Sequence, residues 1–234
     1  MTDIRTETVP LVDGSALRLT VAEPVSAIRG GIVVLHEARG VTEAVRGLVQ
    51  GLAGEGWLAV APHLYHRDGA DELADTAGDA EVQQQVDRLD GEQVMADTDT
   101  AFGWLADRDI SADRMGVVGF DLGGSVALLV AAKRTLGAAV TVAGEGVSTA
   151  PSSDLSALIT AAPGLTCPWL GIYGESADGR VDPEIGELRD AAAASGVATN
   201  VVVYPRKGYR FDDDPEVAAD AWQRTLSWFD SHLR

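Results

Sequence analysis

Cysteine is almost missing from this chain: 234 residues hold one, Cys167. A single thiol cannot close an intramolecular disulfide or build a cysteine-based zinc cluster. Positive charge is scarce as well, with 18 Lys and Arg against 36 Asp and Glu for a formal net charge of −18. A surface that acidic repels phosphate backbones and anionic lipid headgroups, which argues against nucleic acid and membrane surfaces as partners. Long apolar runs are missing too. The least charged stretch, GSVALLVAA, is too short to span a bilayer, and MTDIRTETVP has no apolar segment that would serve as a secretory signal. Repeats, Pro/Ser-rich linkers and breaks in composition are not found. The expectation is a cytoplasmic protein, monomer or homodimer, with one domain over residues 1–234 that is long enough to bury a core without a disulfide or structural metal.

What is present is alternation. Gly30–Leu35 is a short β-branched run of the kind a strand covered on both faces shows. Val45, Leu48, Val49 and Leu52 then fall at helical spacing within Val41–Glu55, with Gly56 as the stop. Trp57–Leu64 reads as the next strand, Asp68–Asp79 as an acidic surface excursion, and Glu81–Ala106 as one long helix. A strand over Arg114–Phe120 leads into a helix from Gly123 to Lys133, and Ala138–Ala143, Trp169–Tyr173 and Asn200–Tyr204 complete the inner strands. Glu184–Ala194 and Pro215–Leu233 are the late helices. Near the N-terminus, Glu7–Val12 and Leu17–Glu23 form an antiparallel hairpin turning at Asp13-Gly14. Strand–helix alternation predicts an α/β fold: a mainly parallel central sheet with helices on both faces and right-handed crossovers.

Ligands of such sheets bind at the carboxyl ends of strands. Three junctions qualify. In Gly119-Phe120-Asp121-Leu122-Gly123-Gly124 a polar residue stands among glycines between a strand and a helix, the layout of a nucleophile elbow. The same layout also describes an ordinary tight turn in which Asp121 is an N-cap, and the sequence leaves both open. The other junctions are Leu35-His36-Glu37-Ala38-Arg39-Gly40-Val41 and Ala61-Pro62-His63-Leu64-Tyr65-His66-Arg67.

Five segments together carry a resemblance: GIVVLHEARGV, GWLAVAPHLYHR, MGVVGFDLGGSVALLVAA, PWLGIYGES and VVVYPRKGYRF. In this order, over residues 30–233, the chain resembles the dienelactone hydrolase family of α/β-hydrolases. That resemblance implies an α/β-hydrolase fold, hydrolysis of lactones and carboxylic esters through an acyl-enzyme, a small-molecule ligand or ester/lactone substrate, and no cofactor or metal. It also implies a Cys–His–Asp triad, and here the chain departs. Asp121 stands where the cysteine belongs, Tyr209 where the histidine belongs, and Ala177 at the acid position with Asp178 one step late. Glu37 matches the glutamate beside the resting nucleophile. The backbone N–H groups of Ala38 and Leu122 match the oxyanion hole, which needs no particular side chain. Arg67 matches an arginine that holds the substrate carboxylate, with Arg39 and Tyr65 as further substrate-contacting candidates. A second expected arginine is Asp213.

Each replacement changes the chemistry. A carboxylate at the elbow is a nucleophile toward carbon, yet releasing the resulting ester needs a base that activates water, and tyrosine, with a reference pKa near ~10, is a poor base at neutral pH. His36, His63 and His66 sit on the junction loops and His232 at the chain end, while Cys167 reads as a buried structural thiol. Three functions follow: an impaired or non-catalytic relative that binds a ligand; a hydrolase with a rewired site using Asp121, helped by Glu37, as nucleophile or base; and an Asp121-centred divalent-cation site. The last pairs Asp121 with a neighbouring carboxylate and has the least behind it; a separate zinc site from His63-x-x-His66 plus a carboxylate has little behind it too, because no HExxH motif or third spaced ligand accompanies it.

Overall fold

The computed structural model describes residues 3–69, 72–74, 76–175, 182–205 and 214–234. Its centre is one eight-stranded sheet: β1 (Ile4–Pro10), β2 (Ala16–Ala22), β3 (Gly31–Leu35), β4 (Leu58–Pro62), β5 (Met115–Phe120), β6 (Ala138–Val142), β7 (Trp169–Gly174) and β8 (Thr199–Tyr204). Their spatial order is β1-β2-β4-β3-β5-β6-β7-β8. The β1–β2 and β2–β4 pairs are antiparallel, and every pairing from β4 through β3 to β8 is parallel. The expected hairpin and the mainly parallel sheet are both present. The hairpin turn is held by Ser15, whose N–H and hydroxyl both donate to Asp13 Oδ1, and by Gly14 at φ 86°.

The helices are α1 (Glu43–Gly54), α2 (Asp79–Val86), α3 (Gly91–Ala106), α4 (Leu122–Lys133), α5 (Leu158–Ala161), α6 (Pro183–Ala193) and α7 (Pro215–His232). They divide between the sheet faces as strand alternation requires. Val33 and Leu35 of β3 join the core under α3 and α4, whereas Ile32 and Val34 join the core under α1 and α7. α4 is apolar all round and buried from Leu122 through Ala131, as befits a helix at the centre of the molecule.

One expectation needs correcting. The long helix of residues 81–106 is two helices, broken between Val86 and Gly91. Asp90 caps α3 by accepting from the Gln93 N–H at 2.9 Å. Gly91 lies so close to a neighbouring segment that a Cβ there would sit 2.3 Å from the Asp154 carbonyl oxygen. The Asp-Gly pair is thus a cap and a close approach, a stop signal inside a periodic pattern. The acidic excursion is tied down: Gly40 bridges Glu72, Arg46 pairs with Glu72 at 3.1 Å, and Arg39 donates to the carbonyls of Ala74 and Ala77.

Candidate active site

β5 passes into α4 through a single strained residue. Asp121 has φ 50° and ψ −117°, a conformation that L-residues rarely adopt and that persists only where surroundings enforce it. The enforcement is backbone on backbone. A Cβ on Gly119 would lie 1.9 Å from the Gly123 oxygen, and one on Gly123 would lie 2.2 Å from the Leu35 oxygen. The Asp121 N–H donates to the Val142 carbonyl at 3.0 Å, and the Asp121 carbonyl accepts from the Ser125 and Glu145 N–H groups.

Asp121 occupies the N-cap position of α4, yet its side chain makes no capping hydrogen bond. Thr42, Asp90, Asp182 and Asp214 all cap their helices with side-chain oxygens. The turn therefore has the shape of an elbow, with a side chain that is not spent on its own helix. Leu122 is the first residue of α4, so its N–H is among those a helix leaves without an intrahelical acceptor.

Two hollows meet at this elbow, and both are bordered by Asp121 and Glu37. One, of about 320 Å³, is mainly apolar and lies between α1 and α7: Ala44, Val45 and Leu48 face Ala218, Ala221 and Trp222. The other, of about 330 Å³, is polar. Glu37, Asp79, Asp121, Glu145, Arg39 and Gln83 line it together with Ala38.

The HEARG junction is shaped by its own backbone. The Glu37 carbonyl accepts from the Gly40 N–H at 3.0 Å and from His36 Nδ1 at 2.7 Å, while Thr42 Oγ1 donates to Glu37 Oε1 at 3.3 Å. His36 Nε2 in turn accepts the Leu64 N–H at 3.2 Å. These bonds assign the proton to Nδ1. Complete burial drives the His36 pKa down to about 4, so the ring is neutral at physiological pH and ties one junction loop to the next.

The other candidate residues fall differently. The Tyr65 hydroxyl, expected at a substrate, donates to the Ala38 carbonyl at 2.7 Å, and the residue is buried away from both hollows. Arg67, expected at a substrate carboxylate, borders neither hollow. Its guanidinium holds Asp97 bidentately at 2.6 and 2.9 Å, because that carboxylate on α3 is fully buried and needs a counter-charge. His66 Nε2 meets the same carboxylate at 3.0 Å, and His63 Nε2 meets Thr20 Oγ1 at 2.8 Å. Arg39 does line the polar hollow, with its guanidinium directed to the Ala74 and Ala77 carbonyls. Tyr209, Asp178, Ala177 and Asp213 lie outside the described residues. Cys167 is buried in the core, its thiol pushed up to about 12 by burial. Among the described residues, no group of three or more His, Cys, Asp or Glu is arranged to hold a metal ion, and no helix is long and apolar enough to cross a membrane.

Sequence reasoning missed Glu145, Ala143 and Trp222. The first two follow the carboxyl end of β6, where the strand-end rule applied to VAGEG would have flagged them, and Ala143 repeats the strain of Asp121 at φ 50°. Trp222 gave no local signal, because it reaches the elbow from the last helix.

A mainly parallel eight-stranded sheet with this order and a strained strand-to-helix elbow defines an α/β-hydrolase scaffold. The family can be stated as well: the sequence model of the Dienelactone hydrolase family matches residues 17–233, and the chain belongs to that family of hydrolases. It is 32% identical over 206 residues to a Salmonella typhimurium protein named "Putative carboxymethylenebutenolidase", covering 85% of this chain and 76% of that one. A Pseudomonas putida protein named "Carboxymethylenebutenolidase" is 31% identical over 138 residues, 58% of each chain. Among solved structures, the "Putative Dienelactone Hydrolase" of Klebsiella pneumoniae superposes with a TM-score of 0.88 at 29% identity, covering 99% of this chain and 100% of the other.

Proposed function

We propose that this member of the family binds a small ester- or lactone-like ligand at the elbow and is catalytically impaired toward it. One observation carries the reading: the elbow side chain is the carboxylate of Asp121, in a pocket it shares with the carboxylates of Glu37 and Glu145, while all four histidines of the chain are bonded elsewhere. Acyl transfer by this fold needs an activated nucleophile with a base in reach. Aspartate attacking an ester carbonyl makes an anhydride and expels an alkoxide that needs a proton, and among the described residues no histidine stands at the elbow to give one. Tyr209, at the position where the resemblance implies histidine, does not supply that proton shuttle at neutral pH. The socket is nonetheless retained, with the Leu122 and Ala38 amides in the oxyanion positions by resemblance and an apolar hollow for the ligand body.

The strain kept at Asp121 favours a second reading, in which its carboxylate attacks a saturated carbon. The Oδ–C bond forms, a halide or other leaving group departs with its electron pair, and an alkyl-enzyme ester remains. The deciding experiment measures turnover of p-nitrophenyl esters, dienelactone and haloalkanes by the wild type and Asp121→Ala, with intact-mass analysis of the protein. Impairment predicts no turnover by either protein and no added mass. Wild-type turnover lost in Asp121→Ala, or an adduct on the peptide holding Asp121, would replace it with the rewired hydrolase.

A further inference from the structure

The central sheet ends on two edges that the sequence treats differently. β1 carries Arg5, Glu7 and Pro10, and Arg5 pairs with Glu7 and, across the hairpin, with Glu23. Charge and proline are what keep a further strand off an edge. β8, at the other end, reads Thr199-Asn200-Val201-Val202-Val203-Tyr204: no charge, no proline, no glycine, and four β-branched residues. That is the composition of a strand suited to a neighbour on each side. We propose that β8 is the contact surface of a homodimer, two copies pairing antiparallel about a two-fold axis at Val201 and so joining their sheets. The contact lies three strands from β5 and is independent of what the elbow binds.

The phase of the ladder sets which main-chain groups are available. At the two ends of the parallel β7–β8 pairing, the Trp169 N–H donates to the Ala198 carbonyl and the Glu175 N–H to the Tyr204 carbonyl, both at 2.9 Å. Along a strand, residues whose N–H and C=O face one neighbour alternate with residues whose groups face the other way. Asn200, Val202 and Tyr204 therefore turn theirs to β7, and Thr199, Val201 and Val203 turn theirs outward. Those three are half-buried, and among the described residues nothing hydrogen-bonds to their outward groups. The outward set is centred on Val201, so an antiparallel copy brings outward residue onto outward residue. Val201 meets the partner's Val201 and Thr199 meets the partner's Val203, each pair exchanging both N–H···O=C bonds.

Charge and symmetry single out a second copy as the occupant. A net charge of −18 sets two chains against each other, so they meet where the surface is neutral. β8 is neutral along its whole length. The charged groups bonded beside it, Asp220 and Arg224 of α7, pair with each other at 2.6 Å, and the Tyr204 hydroxyl donates to the same carboxylate. A two-fold contact also closes on itself: each copy spends its one unguarded edge, and the guarded β1 edge offers no site for growth into a filament.

The test is sedimentation equilibrium of the full chain over a range of protein concentrations, at low and high salt, together with backbone amide exchange. A dimer is expected, and it should tighten as salt screens the repulsion between the acidic chains. Amide protection at Thr199, Val201 and Val203 should rise with protein concentration, while that at Asn200 and Val202, already bonded to β7, stays the same. Thr199→Pro deletes an outward N–H at a strand start, where proline leaves the β7 ladder whole. Asn200→Lys sets two ammonium groups diagonally across the junction, on one face of the paired strands. Each variant should weaken the dimer about tenfold or more while keeping the circular dichroism of the wild type. A monomer at every concentration and salt overturns the proposal. So does a dimer that both variants leave intact, or one that forms without protecting the three outward amides, because each result puts the contact on another surface. Should Thr199→Pro fail to fold, Asn200→Lys and the wild-type amide pattern still decide.

Discussion

His36 accepts the Leu64 backbone N–H on Nε2 while its Nδ1 proton bonds the Glu37 carbonyl, so one neutral ring joins the two loops that flank the elbow. Protonation would place a second N–H against that of Leu64. Burial already opposes it, which is why the folded-state pKa lies at about 4, below the unfolded value of 6.5. Between those values the unfolded chain binds more protons, so stability is lost as pH falls from 6.5 toward 4. At about 1.36 kcal/mol per unit the contribution is of order 3 kcal/mol. Urea titrations at stepped pH should show this slope in the wild type and a shallower one in His36→Gln. NMR observation of the His36 ring titrating near its ordinary value would overturn the assignment.

Asp97 is fully buried between Arg67 and His66. Removing its charge leaves the guanidinium without its partner, and Asp97→Asn should cost about 3 kcal/mol in urea unfolding. Because Arg67 borders neither hollow, ligand affinity measured on the folded fraction should change less than twofold. A large loss of affinity with unchanged stability would return Arg67 to the ligand site.

Glycine substitutions should separate sharply by position. Gly119→Ala and Gly123→Ala drive a methyl into backbone, so each should cost more than about 4 kcal/mol or prevent folding. Gly103→Ala and Gly186→Ala, inside helices with open space around them, should each stabilise by about 0.5–1 kcal/mol. Thermal melts of the four variants check both halves of the contrast.

Strain at the elbow predicts a trade. Asp121→Gly and Ala143→Gly relieve positive φ at the two residues flanking the apolar hollow, and each should raise stability by about 1–2 kcal/mol. Asp121→Gly should at the same time abolish whatever the carboxylate does. Equal or lower stability in both variants would mean that side-chain contacts, not strain, dominate there.

Much of this architecture was legible because its signals are local. Val33 and Leu35 against Ile32 and Val34 mark a strand buried on both faces, and the β5–α4 turn announces itself in glycines. The break at Asp90-Gly91 was missed because helical periodicity on both sides outweighed a cap signal two residues long. Among the site residues, strand ends marked the junctions that hold Glu37 and Asp121, which border the same two hollows, and the family resemblance alone assigned their roles. Arg67 was misjudged because a buried carboxylate thirty residues later in sequence claims it, and sequence order does not reveal Asp97 facing inward. Trp222 was missed for the same reason in reverse: it is brought to the elbow only by the docking of α7 on α1.

The elbow is built almost wholly from main-chain atoms: Gly119 against Gly123, Gly123 against Leu35, and Asp121 pinned through its own N–H and carbonyl. None of those contacts consults the side chain at position 121. A lineage on this fold is thus free to exchange a thiol for a carboxylate at one position without renegotiating its core, so the loss, or the reinvention, of a reaction travels separately from the inheritance of the shape.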